Sequence, residues 1–268
     1  MEQFSNIDFN AIKGFICDMD GVIYHGNQIL PGVREFIQWM QDENKEYLFL
    51  TNNSGYTPRE LNQKLERMGL DVPEEHFYTS ALATAAFLRQ QAPECSVFAI
   101  GEAGLLNALY DAGVTMNDVN PDYVVVGEGR AYSLDTLTKA TNLVLNGAKL
   151  IGANSDVSGP IENGIAPACG ALVAPIELAT GKKAYFCGKP NPLMMRTGLR
   201  LLGCHSAEAV MIGDRMDTDV ISGMESGMAT VLVLSGVSTR ETLNTYAYRP
   251  SIVLNGVGDI PGLAVQKS

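Results

Sequence analysis

The chain has 268 residues, of which 46% are hydrophobic and 18% charged, and its formal net charge is −11 at pH 7. This length allows one or two domains with a substantial core, and the composition excludes an intrinsically disordered chain. The strong negative charge argues against a nucleic-acid-binding protein or one that binds anionic membranes, so a phosphorylated ligand would need local positive charge.

The five cysteines are scattered and show no spacing typical of a zinc site. Cys17 and Cys187 lie inside apolar runs, which predicts reduced thiols in the core. The stretch from Met1 to Asn10 is polar, and no apolar run approaches the length of a membrane span. We therefore expect a cytoplasmic protein without a membrane partner; a homo-oligomer is one of the open alternatives.

The first predicted element is the apolar run from Gly14 to Cys17, which indicates a buried strand. Asp18 and Asp20 follow it, and side chains two positions apart on an extended segment point to the same side. Both would project from the carboxyl end of a strand, where open α/β sheets bind their ligands. Two carboxylates this close repel each other, so we expect their pKa values to separate unless a cation lies between them.

The next elements alternate between helix and strand. A helix is predicted from Val33 to Gln41, where apolar residues share one face, and a strand from Tyr47 to Leu50. Thr57 and Pro58 then open another helix with a capping box. Strands and helices at this spacing indicate parallel βαβ units.

The alternation restarts at about residue 82 and continues to about residue 181. Strands are predicted at 97–100, 123–126 and 150–151, and helices at 83–91, 105–112, 134–145 and 171–179. Residues 152–169, rich in Gly, Asn and Pro, are predicted to be a loop. Residues 82–181 are thus expected to form a small α/β domain inserted into a core of residues 1–81 and 182–268.

The rest of the core follows the same pattern. Strands are predicted at 184–187, 210–212, 230–234 and 251–254. A helix opens at Asn191 and Pro192, and another covers Thr218 to Glu225, with Gly227 as its stop.

Three further predicted strands are each followed by a polar residue, namely Thr51, Lys189 and Asp214. Because parallel strands present their carboxyl ends at one edge of a sheet, we expect these groups to converge near Asp18. Each residue alone could be an ordinary turn or cap residue, but their joint placement favours a ligand site.

The residue types suggest which ligand this is. Oxygen-only donors such as Asp18, Asp20 and Asp214 favour Mg²⁺ over zinc. Lys189 offers a positive charge for phosphate oxygens, while Thr51 and the amides around Asn52 and Asn53 offer neutral donors. These features predict a site for a phosphorylated small molecule.

The order and context of the motifs resemble the haloacid-dehalogenase (HAD) superfamily over nearly the whole chain. The long insert makes the chain similar to the NagD-like branch of sugar and nucleotide phosphatases. The segments that carry the resemblance are Asp18–Val22, Leu50–Asn53, Asn120–Gly127, Gly188–Pro190 and Gly213–Asp219. The resemblance implies a Rossmann-like, doubly wound parallel-sheet core with an inserted α/β cap domain of the C2 type.

The resemblance also implies roles for the first motif and its metal. Asp18 would be the nucleophile that forms an aspartyl-phosphate, and Asp20 would be the general acid and base. Mg²⁺ would be held by Asp18, the backbone carbonyl of Asp20, and Asp214. Asp219 would orient Lys189 or metal-bound waters rather than bind the ion.

Phosphate-binding and specificity residues are implied in the same way. Phosphate-binding residues would be Thr51, Asn52, Asn53 and Lys189. The cap would close over the site and exclude water. Its candidate substrate contacts are Glu128, Arg130, Asn154 and Asp156, and Arg130 is equally well explained as a solvated surface charge. Relatives commonly have Thr-Asn-Pro-Asp where this chain has Ala153-Asn154-Ser155-Asp156, so substrate preference does not transfer.

Two other residues attract attention. His25 lies close to the first motif, but a lone histidine in a variable flap is not expected to be an acid or base. Trp39 lies on the apolar face of its helix and is expected in the core.

The sequence therefore predicts a Mg²⁺-dependent phosphatase that hydrolyses small phosphomonoesters, such as nucleoside monophosphates or sugar phosphates, through an aspartyl-phosphate. The alternative is a phosphoacceptor or ligand-sensing regulator, which would use the aspartates as a switch. A regulator has no evident need for a long insert or for Asp20. A dehalogenase is a weaker alternative, because Mg²⁺ ligands and an acid suit phosphoryl transfer better.

Overall fold

The computed structural model describes residues 2–3, 7–130, 132–161 and 163–265. Its helices are α1 (Val33–Asp42), α2 (Pro58–Arg67), α3 (Ser80–Gln91), α4 (Ala103–Asp111), α5 (Leu134–Leu145), α6 (Cys169–Thr180), α7 (Pro192–Leu201), α8 (Ile221–Glu225), α9 (Arg240–Leu243) and α10 (Asp259–Val265). Short 3₁₀ turns occupy Glu74–His76 and Ser206–Glu208.

The strands alternate with these helices along much of the chain. They are β1 (Glu2–Gln3), β2 (Gly14–Cys17), β3 (Tyr24–His25), β4 (Gln28–Ile29), β5 (Glu46–Thr51), β6 (Phe77–Thr79), β7 (Ser96–Ile100), β8 (Thr115–Met116), β9 (Tyr123–Val126), β10 (Lys149–Gly152), β11 (Ser158–Ile161), β12 (Gly164–Pro167), β13 (Tyr185–Phe186), β14 (Ala209–Gly213), β15 (Ala229–Val233) and β16 (Ile252–Leu254). The chain has the α/β class that the sequence predicted.

The chain divides into two compact units. The first contains Met1–Thr51, Asn62–Tyr78 and Met195–Ser268, and the second contains Asn52–Leu61 and Thr79–Met194. The second unit covers the predicted insert, 82–181, and extends beyond it on both sides. Residues 1, 4–6 and 266–268 of the predicted core and residues 131 and 162 of the predicted insert lie outside the described residues.

The first unit is built on a sheet of seven strands in the order β1-β16-β15-β14-β2-β5-β6. The neighbours from β16 to β5 pair in parallel, whereas β1 is antiparallel to β16. All four residues of β2 are buried, because this strand lies between β14 and β5. This position explains why its sequence is continuously apolar rather than alternating.

Helix α1 packs its apolar face in the first unit. Its buried residues are Val33, Phe36, Ile37 and Met40, the spacing of a single helical face. Trp39 is only half-buried, which corrects the prediction of a core residue. Its ring packs edge-to-face with Phe15, with 5.5 Å between the ring centroids, so Trp39 lies at the margin of the core.

The second unit has its own sheet of five parallel strands in the order β13-β10-β9-β7-β8. Its core is formed by buried side chains of this sheet and of α5 and α6, including Val124, Val126, Leu143, Val173 and Ile176. The predicted strands and helices of this region are present. A separate hydrophobic core within residues 79–194 explains why the alternation restarts there.

Two predicted elements also differ in detail from the structure. The predicted loop between Gly152 and Cys169 contains an antiparallel hairpin of β11 and β12. These strands carry glycine and proline and few β-branched residues, so they lack a local strand signal. The predicted helix from Thr218 begins instead as a π-helical turn, Met216–Val220, before α8. Among the described residues, no helix is long and apolar enough to cross a membrane.

Candidate active site

The carboxyl ends of adjacent strands in the first unit carry the predicted site residues. Asp18 follows β2, Asp214 follows β14, and Thr51 is the last residue of β5. The backbone N–H of Asp18 donates to the carbonyl oxygen of Ile212 over 2.8 Å, which fixes the register of β2 against β14 at the point where both end. The parallel sheet therefore brings Asp18, Asp214 and Thr51 to one edge. Lys189 was expected at the same edge, but it follows β13, a strand of the five-stranded sheet of the second unit.

Three carboxylates meet at this edge. Asp18, Asp214 and Asp219 each offer an oxygen, and these atoms lie within 4.8 Å of one another. Asp214 and Asp219 are almost fully buried, at 2% and 1% exposure. The cluster differs from the predicted metal ligands because it includes the Asp219 side chain. Asp20 was expected to contribute its backbone carbonyl. The cluster consists of side-chain oxygens, so it does not test that expectation.

Backbone amides hold two members of the carboxylate cluster in place. Val237 donates its N–H to Oδ2 of Asp214 over 2.6 Å, and Arg215 donates its N–H to Oδ2 of Asp219 over 3.1 Å. The π-helical turn produces the second contact, since the N–H of Val220 reaches back to the carbonyl of Arg215 over 3.1 Å. The turn thereby returns the Asp219 carboxylate to the end of β14.

The donor set fits a hard divalent cation. Three carboxylates in a buried site repel one another strongly unless a cation balances them. Oxygen donors without sulfur or imidazole match Mg²⁺ better than zinc. Asp18, Asp214 and Asp219 are the side chains that would hold the ion.

Asp20 has a different environment from the carboxylate cluster. Its side chain is 49% exposed, and Nδ1 of His25 lies 3.8 Å from its Oδ1. Partial burial raises the pKa of the Asp20 carboxyl above its ordinary value, and the charges of Lys64 and His25 oppose this rise. A carboxyl that retains its proton more readily is suited to general acid catalysis.

Lys64 was not singled out from the sequence. Its ammonium lies 3.8 Å from the centroid of the Tyr24 ring, a cation–π contact. Partial burial lowers the pKa of Lys64, and the charge of Asp20 opposes this effect. The helical pattern of α2 gave no sign of the contact, because Lys64 resembles any solvated helix lysine.

In the second unit, Asn52 and Lys189 are held together. The N–H of Lys189 donates to Oδ1 of Asn52 over 2.7 Å, and Nδ2 of Asn52 donates to the carbonyl of Lys189 over 3.0 Å. Nδ2 also donates to Oδ2 of Asp156 over 3.0 Å. The Asn52 side chain therefore orders the backbone of Lys189, a buried lysine at 2% exposure.

The predicted cap contacts lie around the same loop. Glu128 accepts hydrogen bonds from Ser54, and Asn154 bridges Glu128 and Asn52. The Arg130 side chain is exposed. Asn53 accepts a hydrogen bond from the N–H of Gly55 through its side chain over 2.8 Å. Sequence reasoning missed Ser54, which is fully buried; its place directly after the Asn pair was the available signal.

Comparison with known proteins identifies the family. A model described as haloacid dehalogenase-like hydrolase matches residues 15–115, and a related HAD-hydrolase-like model matches residues 186–260. The chain is 48% identical to dihydroxyacetone phosphatase of Corynebacterium glutamicum over 92% of this chain and 90% of that protein. The chain belongs to the haloacid dehalogenase-like hydrolases.

Solved structures support the same assignment. The structure of NagD from Escherichia coli K-12 matches with a TM-score of 0.88 and 43% identity, covering 92% of this chain and 98% of that chain. A 4-nitrophenylphosphatase from Thermotoga maritima matches with a TM-score of 0.92 and 33% identity, covering 97% of this chain and all of the other. This HAD hydrolase is a NagD-like phosphatase with a Rossmann-like core, as the sequence motifs predicted.

Proposed function

We propose that this HAD phosphatase is Mg²⁺-dependent and hydrolyses small phosphomonoesters through an aspartyl-phosphate on Asp18. The observation that carries the proposal is the cluster of Asp18, Asp214 and Asp219, whose carboxylate oxygens lie within 4.8 Å of one another. When bound, Mg²⁺ would offset the negative charge of these carboxylates and of the phosphoryl group. The residues themselves perform the two chemical steps.

In the first step, a carboxylate oxygen of Asp18 attacks phosphorus as the bond to the leaving oxygen breaks. Asp20 donates its proton to that oxygen, a role supported by its raised pKa. In the second step, Asp20 takes a proton from water as the water oxygen attacks phosphorus. The bond between Asp18 and phosphorus then breaks, which releases inorganic phosphate and restores both aspartates.

The phosphoryl group is held by Thr51, Lys189 and the backbone amides around Asn52 and Asn53. Lys189 is suited to this role because its backbone is fixed by Asn52. Amides that are already fixed, and a lysine whose backbone is fixed, stabilise the charge of the transferred group with little reorganisation during the reaction. Asp219 contributes to the metal site through its place in the carboxylate cluster.

The substrates are small phosphorylated metabolites, and sugar phosphates and nucleoside monophosphates are the two classes to test. The names of two relatives support this choice: dihydroxyacetone phosphatase, and the ribonucleotide monophosphatase NagD of Escherichia coli. The substrates in these two names differ in leaving group. Because this chain has Ala153-Asn154-Ser155-Asp156 where relatives commonly have Thr-Asn-Pro-Asp, its sequence favours neither class.

The test is phosphate release from p-nitrophenyl phosphate and from both substrate classes, with Mg²⁺ or with EDTA. We expect activity only with Mg²⁺ and its loss in Asp18→Asn, while Asp42→Asn, an exposed change on α1, retains it. Equal rates in EDTA would contradict the metal requirement. Activity retained by Asp18→Asn would contradict the nucleophile, and an aspartyl-phosphate that persists for minutes would favour a regulator over an enzyme.

A further inference from the structure

Ser54 and Glu128 are joined by reciprocal hydrogen bonds, although they are 74 positions apart in the chain. The N–H of Ser54 donates to Oε2 of Glu128 over 2.9 Å, and the N–H of Glu128 donates to Oγ of Ser54 over 2.9 Å. The Ser54 hydroxyl also donates to the Glu128 carboxylate. Three bonds between one pair of residues fix the backbone of Ser54 in orientation as well as in position.

Asn154 ties the same carboxylate to the other end of the loop. Its Nδ2 donates to Oε1 of Glu128 over 2.6 Å and to the carbonyl oxygen of Asn52 over 2.6 Å. The Ser80 hydroxyl donates to that carbonyl as well. Because the peptide bond after Asn52 is trans, a carbonyl fixed toward Asn154 turns the N–H of Asn53 to the opposite side.

A close approach of backbone supports this arrangement. A Cβ at Gly127, the residue before Glu128, would lie 2.6 Å from Oγ of Ser54. The φ angle of Gly127 does not lie in the left-handed region, so glycine is needed here for space rather than for conformation. The end of β9 is therefore shaped to receive the Ser54 side chain.

From these contacts we infer that Glu128 and Asn154 are positioning residues that fix the backbone from Asn52 to Ser54, so that the amides of Asn52 and Asn53 are preset to hold the phosphoryl group. This inference rests on the proposed function, and it replaces the expectation that the two side chains contact the leaving group. Positioning of this kind acts on the transferred group, which all substrates share.

The hydrogen bonds that Glu128 and Asn154 already make within the protein support a positioning role rather than contact with the substrate. Both amide hydrogens of Asn154 are used by Glu128 and Asn52, and its Oδ1 accepts the N–H of Asp156 over 3.1 Å. Asn154 is fully buried. Both oxygens of Glu128 accept protein donors. A leaving group that bound either side chain would have to break the contacts that hold the loop.

The test compares Glu128→Gln and Asn154→Ala with wild type on substrates that differ only in leaving group. Glu128→Gln keeps the shape but turns one acceptor into a donor that faces Ser54 or Asn154. We expect kcat/KM to fall by about 10- to 100-fold, by the same factor for p-nitrophenyl phosphate, a sugar phosphate and a nucleoside monophosphate. The inhibition constant of inorganic phosphate should rise in both variants, because phosphate contains the whole group that the loop binds.

Matched controls are available in the second unit. Glu94→Gln changes an exposed glutamate, and Asn142→Ala removes an exposed asparagine that donates to the carbonyl of Thr138 over 2.9 Å. Both controls should keep wild-type kcat/KM. A loss in Glu128→Gln or Asn154→Ala that varies strongly among the leaving groups would overturn the inference in favour of substrate contact. If Glu128→Gln and Asn154→Ala lower the Tm but leave kcat/KM unchanged at temperatures well below it, the two residues have only a structural role.

Amide hydrogen exchange gives a readout that does not depend on activity. Peptides that contain residues 52–57 should exchange faster in both variants, while peptides from α5 should exchange as in wild type. Unchanged exchange at 52–57 would contradict the positioning role even in an active enzyme. A wild-type protein that hydrolyses no phosphomonoester would instead contradict the proposed function. The exchange data would still show whether Glu128 and Asn154 order the loop.

Discussion

Val237 donates its backbone N–H to Oδ2 of Asp214 over 2.6 Å, so the segment after β15 fixes the orientation of a carboxylate at the end of β14. The next residue continues the contact, since Ser238 donates its N–H to the backbone carbonyl of Asp214 over 3.1 Å. Backbone amides of this segment thus orient Asp214. A preset carboxylate loses less conformational freedom when a cation binds.

The close approach at Gly236 should be indispensable for this orientation. A Cβ at Gly236 would lie 2.0 Å from Oδ2 of Asp214, so Gly236→Ala must displace the carboxylate. We expect phosphatase activity to fall at least about tenfold and half-activation to need more Mg²⁺. The measurement is a Mg²⁺ titration of phosphate release. Gly256→Ala is the control, because a Cβ there meets no atom within 4 Å; identical titration curves for the two variants would refute the prediction.

Without metal, the carboxylate cluster should destabilise the fold. Replacing Asp219 by Asn removes one negative charge while its side-chain oxygen can still accept the N–H of Arg215. In EDTA we expect the Tm of Asp219→Asn to exceed that of wild type by a few degrees, since about 1 kcal/mol corresponds to about 2–4 °C. Adding Mg²⁺ should raise the Tm of wild type more than that of the variant.

Asp217→Asn is the matched control for this experiment. Asp217 belongs to the same turn, but it pairs with Arg215 at 2.9 Å and lies outside the carboxylate cluster. Its replacement should leave the Tm in EDTA unchanged or lower it. If Asp219→Asn also lowers the Tm in EDTA, repulsion within the cluster does not limit stability.

Gly188 should be required for the contact between Asn52 and Lys189. A Cβ at Gly188 would lie 2.7 Å from Oδ1 of Asn52, the acceptor for the N–H of Lys189. Gly188→Ala should therefore reduce kcat/KM for p-nitrophenyl phosphate by about 10- to 100-fold. Gly159→Ala, where a Cβ meets nothing within 4 Å, should retain full activity. A fully active Gly188→Ala enzyme would show that this contact is dispensable.

The buried thiol of Cys187 should make stability fall at high pH. Burial raises the pKa of Cys187 from an ordinary 9.0 to about 12, and a hydrogen bond with Thr84 opposes part of this rise. Between these values the unfolded chain has lost the proton that the folded chain keeps, so the free energy of unfolding falls as pH rises. The loss from one thiol is about 1.4 kcal/mol per pH unit.

Urea unfolding at pH 8.5, 9.5 and 10.5 measures this effect. Cys187→Ala is expected to be less stable at every pH because it leaves a cavity, but its free energy of unfolding should decline less steeply with pH. Cys204→Ala, at a partly exposed thiol, should change the slope less. If the free energy of unfolding declines equally with pH in wild type and in Cys187→Ala, this thiol does not contribute to the decline.

Local patterns predicted the elements that place the carboxylates. The apolar run before Asp18 and the strand before Asp214 are complete within a few residues, so their type and ends could be inferred without tertiary information. The π-helical turn could not, because a helical pattern does not distinguish hydrogen bonds to the fourth residue from those to the fifth. That turn returns Asp219 to the carboxylate cluster.

The contacts of the loop after Thr51 were beyond sequence reasoning for another reason. Glu128 and Asn154 were recognised as functional candidates from their motifs, but their partners Ser54 and Asn52 are 74 and 102 positions away. Nothing in a single sequence specifies such pairings. The residue types were visible, whereas their hydrogen-bond partners required coordinates.

The contact between Val237 and Asp214 also constrains the order of events during synthesis. The strand that carries Asp18 is synthesised before Asp214, and Asp214 can acquire its orientation only after Val237 and Ser238 have emerged. A nascent chain that ends before these residues carries the proposed nucleophile, Asp18, without the amide that orients the Asp214 carboxylate. Under the proposed mechanism, we therefore expect hydrolysis only after translation has passed Ser238.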